Sequence, residues 1–213
     1  MEGYLAALTF LIFSGSGTAA QVLKLKNRER LYKQGELNQE HITDGLTSTR
    51  EFFGYAAILS FSLSAVTRSY TDYYILVSRL PLVALTTIIL WQLRDSKVFY
   101  LSLFGNSILL LLTLGSIFGF STYTLGNFVD ILLILVSVFL FYGKIDQARF
   151  MWRNNRFSGV SALRALGTII KDSFGLLYCF SVGRELFWIG VTHVLSISTS
   201  ILIILTLLTL QHN

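Results

Sequence analysis

Long apolar runs broken by short polar patches recur along the whole of this chain, and they restrict its fold more than any other feature. Lipid offers no partner to an exposed backbone N–H or C=O, so a chain of this kind inside a bilayer must form helices or a closed barrel. A barrel would alternate apolar and polar residues with period two. Runs such as Ile108-Leu109-Leu110-Leu111-Leu112 do not alternate. Crossing an apolar core of about 30 Å takes about 20 helical residues. On that rule the sequence predicts seven spans, at 4–23, 51–68, 72–93, 98–119, 126–143, 161–182 and 185–210. The expected fold class is an all-α membrane protein with seven transmembrane helices.

Composition agrees with this. Only 14% of the 213 residues are charged, against about a quarter in a soluble domain. The net charge of +5 does not point to nucleic acid, because the basic residues fall in loops between apolar runs. One cysteine, Cys179, cannot close an internal disulfide, and His41, His193 and His212 do not cluster as a zinc site requires. No cofactor is expected. The opening MEGYLAALTFLIF has no positive region ahead of its apolar run, so it reads as the first span and not as a cleaved signal. No nucleophile stands beside a base, and no Gly-rich phosphate loop is followed by a lysine. An enzyme is the weakest reading.

Lysine and arginine in short loops set the orientation. The first loop carries Lys24, Lys26, Arg28, Arg30 and Lys33; the third carries Arg94 and Lys97; the fifth carries Lys144, Arg149, Arg153 and Arg156. The intervening loops hold only Arg68 and Arg184. The odd loops are therefore expected in the cytoplasm, with the N-terminus outside and the C-terminus inside. The stretch KNRERLYKQGELNQEHITD reads as a solvated loop, with a short amphipathic helix as the alternative.

An internal repeat organises the spans. Gly45-Leu-Thr-Ser-Thr-Arg50 precedes the second span, and Gly159-Val-Ser-Ala-Leu-Arg164 precedes the sixth, 114 positions later. At the same offset, Ile75-Leu-Val-Ser-Arg79 falls on Ile189-Gly-Val-Thr-His193, and Tyr73-Tyr74 falls on Phe187-Trp188. Upstream, Gln21 and Gln147 are each expected to end an apolar helix and precede a basic stretch, 126 positions apart. The predicted units are residues 1–97, a linker span in 98–125, and residues 126–213. Three spans alone would invert the second unit, and the fourth restores its direction, so the repeats are parallel. In transporters of that plan the site lies between the repeats.

This three-plus-one-plus-three layout, with an outside N-terminus and 213 residues, resembles the SWEET and PQ-loop superfamily over essentially the whole chain. Gln21 and Gln147 look like the glutamine of the Pro-Gln pair that names the family, and the resemblance implies a gating role for them. It also implies alternating access, movement of sugars, amino acids or other small solutes, and pocket residues on the third and seventh helices. Arg79 and His193 occupy the positions that look equivalent. The prolines depart from the pattern: Ala20 precedes Gln21, Asp146 precedes Gln147, and the one proline is Pro81. Ser14-Gly15-Ser16-Gly17 offers the first helix a place to bend; the fifth has no such device between Ile131 and Phe141.

Ionisable groups at membrane depth are costly, so they face the bundle interior and mark function. Arg79, Lys171, Asp172 and His193 are of this kind. Ser78, Arg79 and Leu82 share one helix face; Thr192, His193 and Ser196 share its counterpart. The expected substrate-binding set is Arg79, His193, Ser78, Thr192 and Ser196. Arginine offers a fork for a carboxylate or phosphate, and histidine titrates near neutral pH. Lys171 and Asp172 are expected to couple protons or form an ion pair, with Asp172 reaching Arg79 or His193 across the bundle. Adjacent helical residues point about 100° apart, so Lys171 and Asp172 cannot be assumed to pair with each other. Asp130 reads as an interfacial cap. Trp91, Tyr100, Tyr123 and Trp152 read as interfacial anchors, as do Tyr73, Tyr74, Phe187 and Trp188, which could instead stack on a solute.

The expected function is a transporter of a small polar or anionic solute (a sugar, amino acid or organic acid) working by alternating access, with proton coupling as an option. The alternative is a non-transporting receptor or assembly subunit on the same scaffold, which the absent hinge prolines favour. The expected partners are the solute and the lipid bilayer, with a homo-oligomer or larger membrane complex left open.

Overall fold

The computed structural model describes residues 2–67, 73–93, 96–118, 126–182 and 187–212; within these, the side chains of 2–14, 40, 73–75, 96, 116–117, 126–127, 130, 182, 187–188 and 212 are not described. Arg68, Arg94, Tyr123 and Arg184 lie outside the described residues, as do the side chains of Ser14, Tyr73, Tyr74, Asp130, Phe187, Trp188 and His212.

Among the described residues the secondary structure is entirely helical. The helices are α1 (Glu2–Lys33), α2 (Ser48–Val66), α3 (Tyr73–Gln92), α4 (Ser96–Ile117), α5 (Gly126–Asn154), α6 (Ala162–Val182) and α7 (Phe187–His212), with a 3-10 turn at Gln39–His41. Among the described residues, three stretches are long and apolar enough to cross a membrane: Lys97–Gly115, Ile131–Asn154 and Ile189–Gln211. Leu76–Gln92 is a shorter apolar helix. α2 and α6 are more polar, and they bury that polarity: Ser60, Ser62 and Ser64 on α2, Arg164 and Asp172 on α6. Trp91, Tyr100 and Trp152 are exposed.

Two expectations about helix ends are corrected. Gln21 and Gln147 do not end their helices, because α1 continues to Lys33 and α5 to Asn154. The first half of the charged KNRERLYKQGELNQEHITD stretch is thus the tip of α1, and its second half holds the 3-10 turn, not a separate amphipathic helix. Hydropathy marks where a helix stops being apolar, not where its hydrogen bonds stop. At 1.5 Å per residue, the 32 residues of α1 span about 48 Å, well beyond an apolar core of about 30 Å.

Packing follows a pattern. α3 packs on α1 and α2, and α7 packs on α5 and α6. α1 lies against α6, and α2 lies against α5. α4 packs on α2 and α3. The Tyr55 hydroxyl lies within hydrogen-bond distance of the Ser102 carbonyl and 2.7 Å from Asn106 Oδ1, and Asn106 Nδ2 donates to Thr87 Oγ1 at 3.2 Å. Those bonds tie α4 to both neighbours. One core cluster gathers Tyr55, Phe61, Leu76, Leu109, Leu133 and Ile189; another gathers Val22, Leu25, Leu46, Met151 and Ile203.

Small residues bring the backbones together where helices cross. A Cβ on Gly167 would stand 2.9 Å from Gly17 Cα, and one on Gly143 would stand 3.0 Å from Arg50 Cα. The two connecting loops touch as well. The Gly159 N–H donates to the Asp44 carbonyl at 2.9 Å. Gly45 has φ +79°, and a Cβ there would meet the Arg156 carbonyl at 2.6 Å; a Cβ on Gly159 would meet the Asp44 carbonyl at 2.5 Å. Gln21 Nε2 donates to the Gly159 carbonyl at 2.7 Å, and Gln147 Nε2 donates to the Gly45 carbonyl at 2.9 Å. Gln21 Oε1 also accepts from the Ser161 N–H at 2.9 Å. Each glutamine therefore clamps the loop that leads into α6 or α2. Around this contact Lys24 Nζ donates to the Val160 carbonyl at 2.6 Å, and Arg28 reaches the His41 carbonyl at 3.0 Å. Burial first, and then the Arg28 charge, lower the Lys24 pKa from its ordinary value.

Candidate functional site

A cavity of about 70 Å³ lies among α1, α2, α3, α5, α6 and α7. That holds a few water molecules or one small ion. Its wall contains both arms of the predicted site: Arg79 and Leu82 from α3, Thr192, His193 and Ser196 from α7, and Lys171 and Asp172 from α6. Ser78, Gln21 and Gln147 are buried but do not line it.

Two groups of charge occupy the wall. The first lies where α2 and α6 begin. Arg164 Nη1 and Nη2 donate to Glu51 Oε1 and Oε2, each at 2.7 Å, in a fork that crosses from α6 to α2. Arg50 engages Glu51 Oε1 as well. Glu51 is fully buried, so these guanidinium groups take the place of water around its carboxylate.

The second group lies about 12 Å further along α6, eight residues from Arg164 to Asp172 at 1.5 Å each. Asp172 Oδ1 is 2.9 Å from Lys171 Nζ and 2.9 Å from His193 Nδ1. The second contact is the one expected across the bundle. The first is a pairing that helix geometry alone did not guarantee: the flexible lysine stem bends back to the buried carboxylate. Phe61, from α2, lies between the repeat-matched pair. The Arg79 guanidinium carbon stands 4.5 Å from its ring centroid, and the His193 ring stacks on it at 5.7 Å with planes 21° apart. A cation over an aromatic face is attracted by the ring quadrupole.

Lys144 joins this wall unexpectedly. Its place among loop residues in the charge count was wrong, because α5 runs on past it to Asn154. Lys144 Nζ donates to the Ser196 carbonyl at 3.0 Å, to Ser196 Oγ at 2.9 Å and to Ser200 Oγ at 3.1 Å. Ser196 is thereby engaged with lysine, and Thr192 Oγ1 is 2.7 Å from Ser137 Oγ on α5.

The sequence reading did not single out Arg50, Glu51, Lys144, Arg164 or Phe61. A signal existed for three of them. Arg50 and Arg164 close the two copies of the repeated motif, and Glu51 follows directly inside a predicted span. Two arginines at matching places in the repeated motif, with a carboxylate directly after the first, mark a candidate meeting point. Phe61 carried no signal, being one of 17 phenylalanines. Among the described residues, no three His, Cys, Asp or Glu side chains gather as a metal site would need.

The described wall is thus rich in positive charge. Five cationic side chains, Arg50, Arg79, Lys144, Arg164 and Lys171, line the cavity. The described carboxylates among them are Asp172 and, just behind the wall, Glu51. No protein-family model, curated protein or solved structure matches this chain.

Proposed function

We propose that this chain binds a small anion in the cavity and carries it across a membrane by exposing the cavity to one side and then the other. One observation carries the reading: among the described residues, five cationic side chains stand at the cavity against two carboxylates. Charge in a poorly screening medium favours an opposite charge beside it. An anionic solute brings that negative charge, whereas a neutral sugar does not.

The architecture that fits this role has seven spans. We read α1–α3 and α5–α7 as parallel three-helix units, with α4 linking them and the N-terminus outside. Three observations support it. The packing of α3 on α1 and α2 has its counterpart in α7 on α5 and α6, and the α1–α6 contact has its counterpart in α5–α2. The Gln21–Gly159 and Gln147–Gly45 bonds exchange under the same relation. So do the close approaches of Gly17 and Gly143 to Arg164 and Arg50. The cavity then lies between repeats, where such transporters hold their solute.

The test is uptake into liposomes from a panel of acetate, succinate, phosphate, alanine and glucose. Wild-type protein should accumulate at least one anion, and Arg79→Ala should bring that uptake to the level of empty liposomes. Uptake of neutral solutes alone would refute the anion reading. Binding without flux would instead favour a receptor, a reading that the tight glycine crossings and the absent hinge prolines support.

A further inference from the structure

Lys144 differs from Arg50, Arg164 and Lys171. Arg50 and Arg164 share Glu51, and Lys171 pairs with Asp172. Lys144 is 4% exposed, and its ammonium donates to three neutral oxygens of α7. Among the described residues, no carboxylate lies within ion-pair distance of it. Neutral oxygens satisfy its hydrogens but leave its charge in place, in a medium that screens charge poorly.

The first half of the chain shows what the position requires for packing. The offset of 126 that relates Gln21 to Gln147 relates Thr18 to Lys144, and Thr18 is likewise buried on the cavity wall. A hydroxyl suffices there. Lysine adds a positive charge to a wall that Arg50, Arg164 and Lys171 already make positive, which no packing argument explains.

We infer that Lys144 receives the negative group of the solute, a carboxylate or an inorganic oxyanion, and so sets the preference for anions over neutral solutes. The inference rests on the anion reading above. An oxygen of the solute replaces Ser196 Oγ on the ammonium, while the Ser196 carbonyl and Ser200 Oγ keep the side chain on α7. Lys144 is then a binding residue, not a tie between α5 and α7.

The two roles separate in a melting experiment on the full chain in detergent, paired with uptake into liposomes. Acetate and phosphate are the probes, and the comparison between them tells a carboxylate from an oxyanion. Wild type should melt higher in at least one of them, and glucose should have no effect. Lys144→Met should melt at or above wild type without added anion, because it removes a buried charge that has no counter-ion among the described residues. It should gain nothing from either probe, and its KM for anion uptake should rise at least about tenfold. Lys144→Arg should keep both responses. If Lys144→Met fails to fold, Lys144→Thr, which copies the residue at Thr18, gives the same readout. A variant that melts lower than wild type yet keeps its response to anion overturns the inference and makes Lys144 a structural tie, with the anion reading intact. A wild-type protein that responds only to neutral solutes overturns the anion reading, and this inference with it.

Discussion

Replacing Glu51 with glutamine should destabilise the protein more than any other single change at the cavity. The carboxylate is fully buried, takes two 2.7 Å bonds from Arg164 and is engaged by Arg50 as well. Glutamine keeps one acceptor oxygen, replaces the other with an NH₂ aimed at donors, and leaves two guanidinium groups with no counter-charge. Breaking a buried pair from one side costs about 3–5 kcal/mol. At about 2–4 °C per kcal/mol for a chain of this size, the melting temperature should fall by about 6–20 °C. Arg164→Met should cost less, because Glu51 retains Arg50. The double variant should cost less than the sum of the singles, by at least about 0.5 kcal/mol, as contacting residues do. The assay is built into the chain: Cys179 is the sole cysteine and is buried, so a thiol-reactive dye reports unfolding directly. A fall of less than about 2 °C for Glu51→Gln, or strict additivity in the double variant, would refute the idea that this carboxylate holds α2 to α6.

The same melting assay tests the loop contact. Gly159→Ala should destabilise by about 1–3 kcal/mol, since its Cβ would meet the Asp44 carbonyl at 2.5 Å. Gly35→Ala shares the positive φ of Gly45 but meets nothing within 4 Å, so it should cost no more than about 1 kcal/mol; equal effects would remove the steric argument. If His193 moves a proton with the solute, uptake should vary across about pH 5–8, the range in which an imidazole ordinarily changes charge. His193→Gln should flatten that profile, and wild-type uptake that is equal across the range would remove proton coupling.

Helix content was legible because it depends on local pattern. Runs without alternation and about 20 residues long can satisfy their backbone only as helices, and the order of those runs could be read directly. The spacing that relates Gly45 to Gly159 and Arg79 to His193 is a property of the sequence alone, and it holds whatever the fold does with those residues. Helix ends were less legible. Residues 24–33 are polar, and a polar stretch of helix has no hydropathic mark to tell it from a loop; Lys144, within α5, was misplaced by the same blindness. The site was legible in part. Arg79, Lys171, Asp172 and His193 stood out because charge at membrane depth is conspicuous in any sequence. Their arrangement did not.

What the sequence by itself determined is therefore the set of helices, their order and the matching of Arg79 with His193. Only the tertiary structure decided that Phe61 lies between those two, that Arg164 reaches across to Glu51, and that Lys144 faces the cavity with neutral oxygens around it. Helix formation is settled by neighbours three and four residues away. The surroundings of a charge are settled by which helices meet, and those contacts join residues such as Glu51 and Arg164, or Lys144 and Ser196, that lie far apart in the chain.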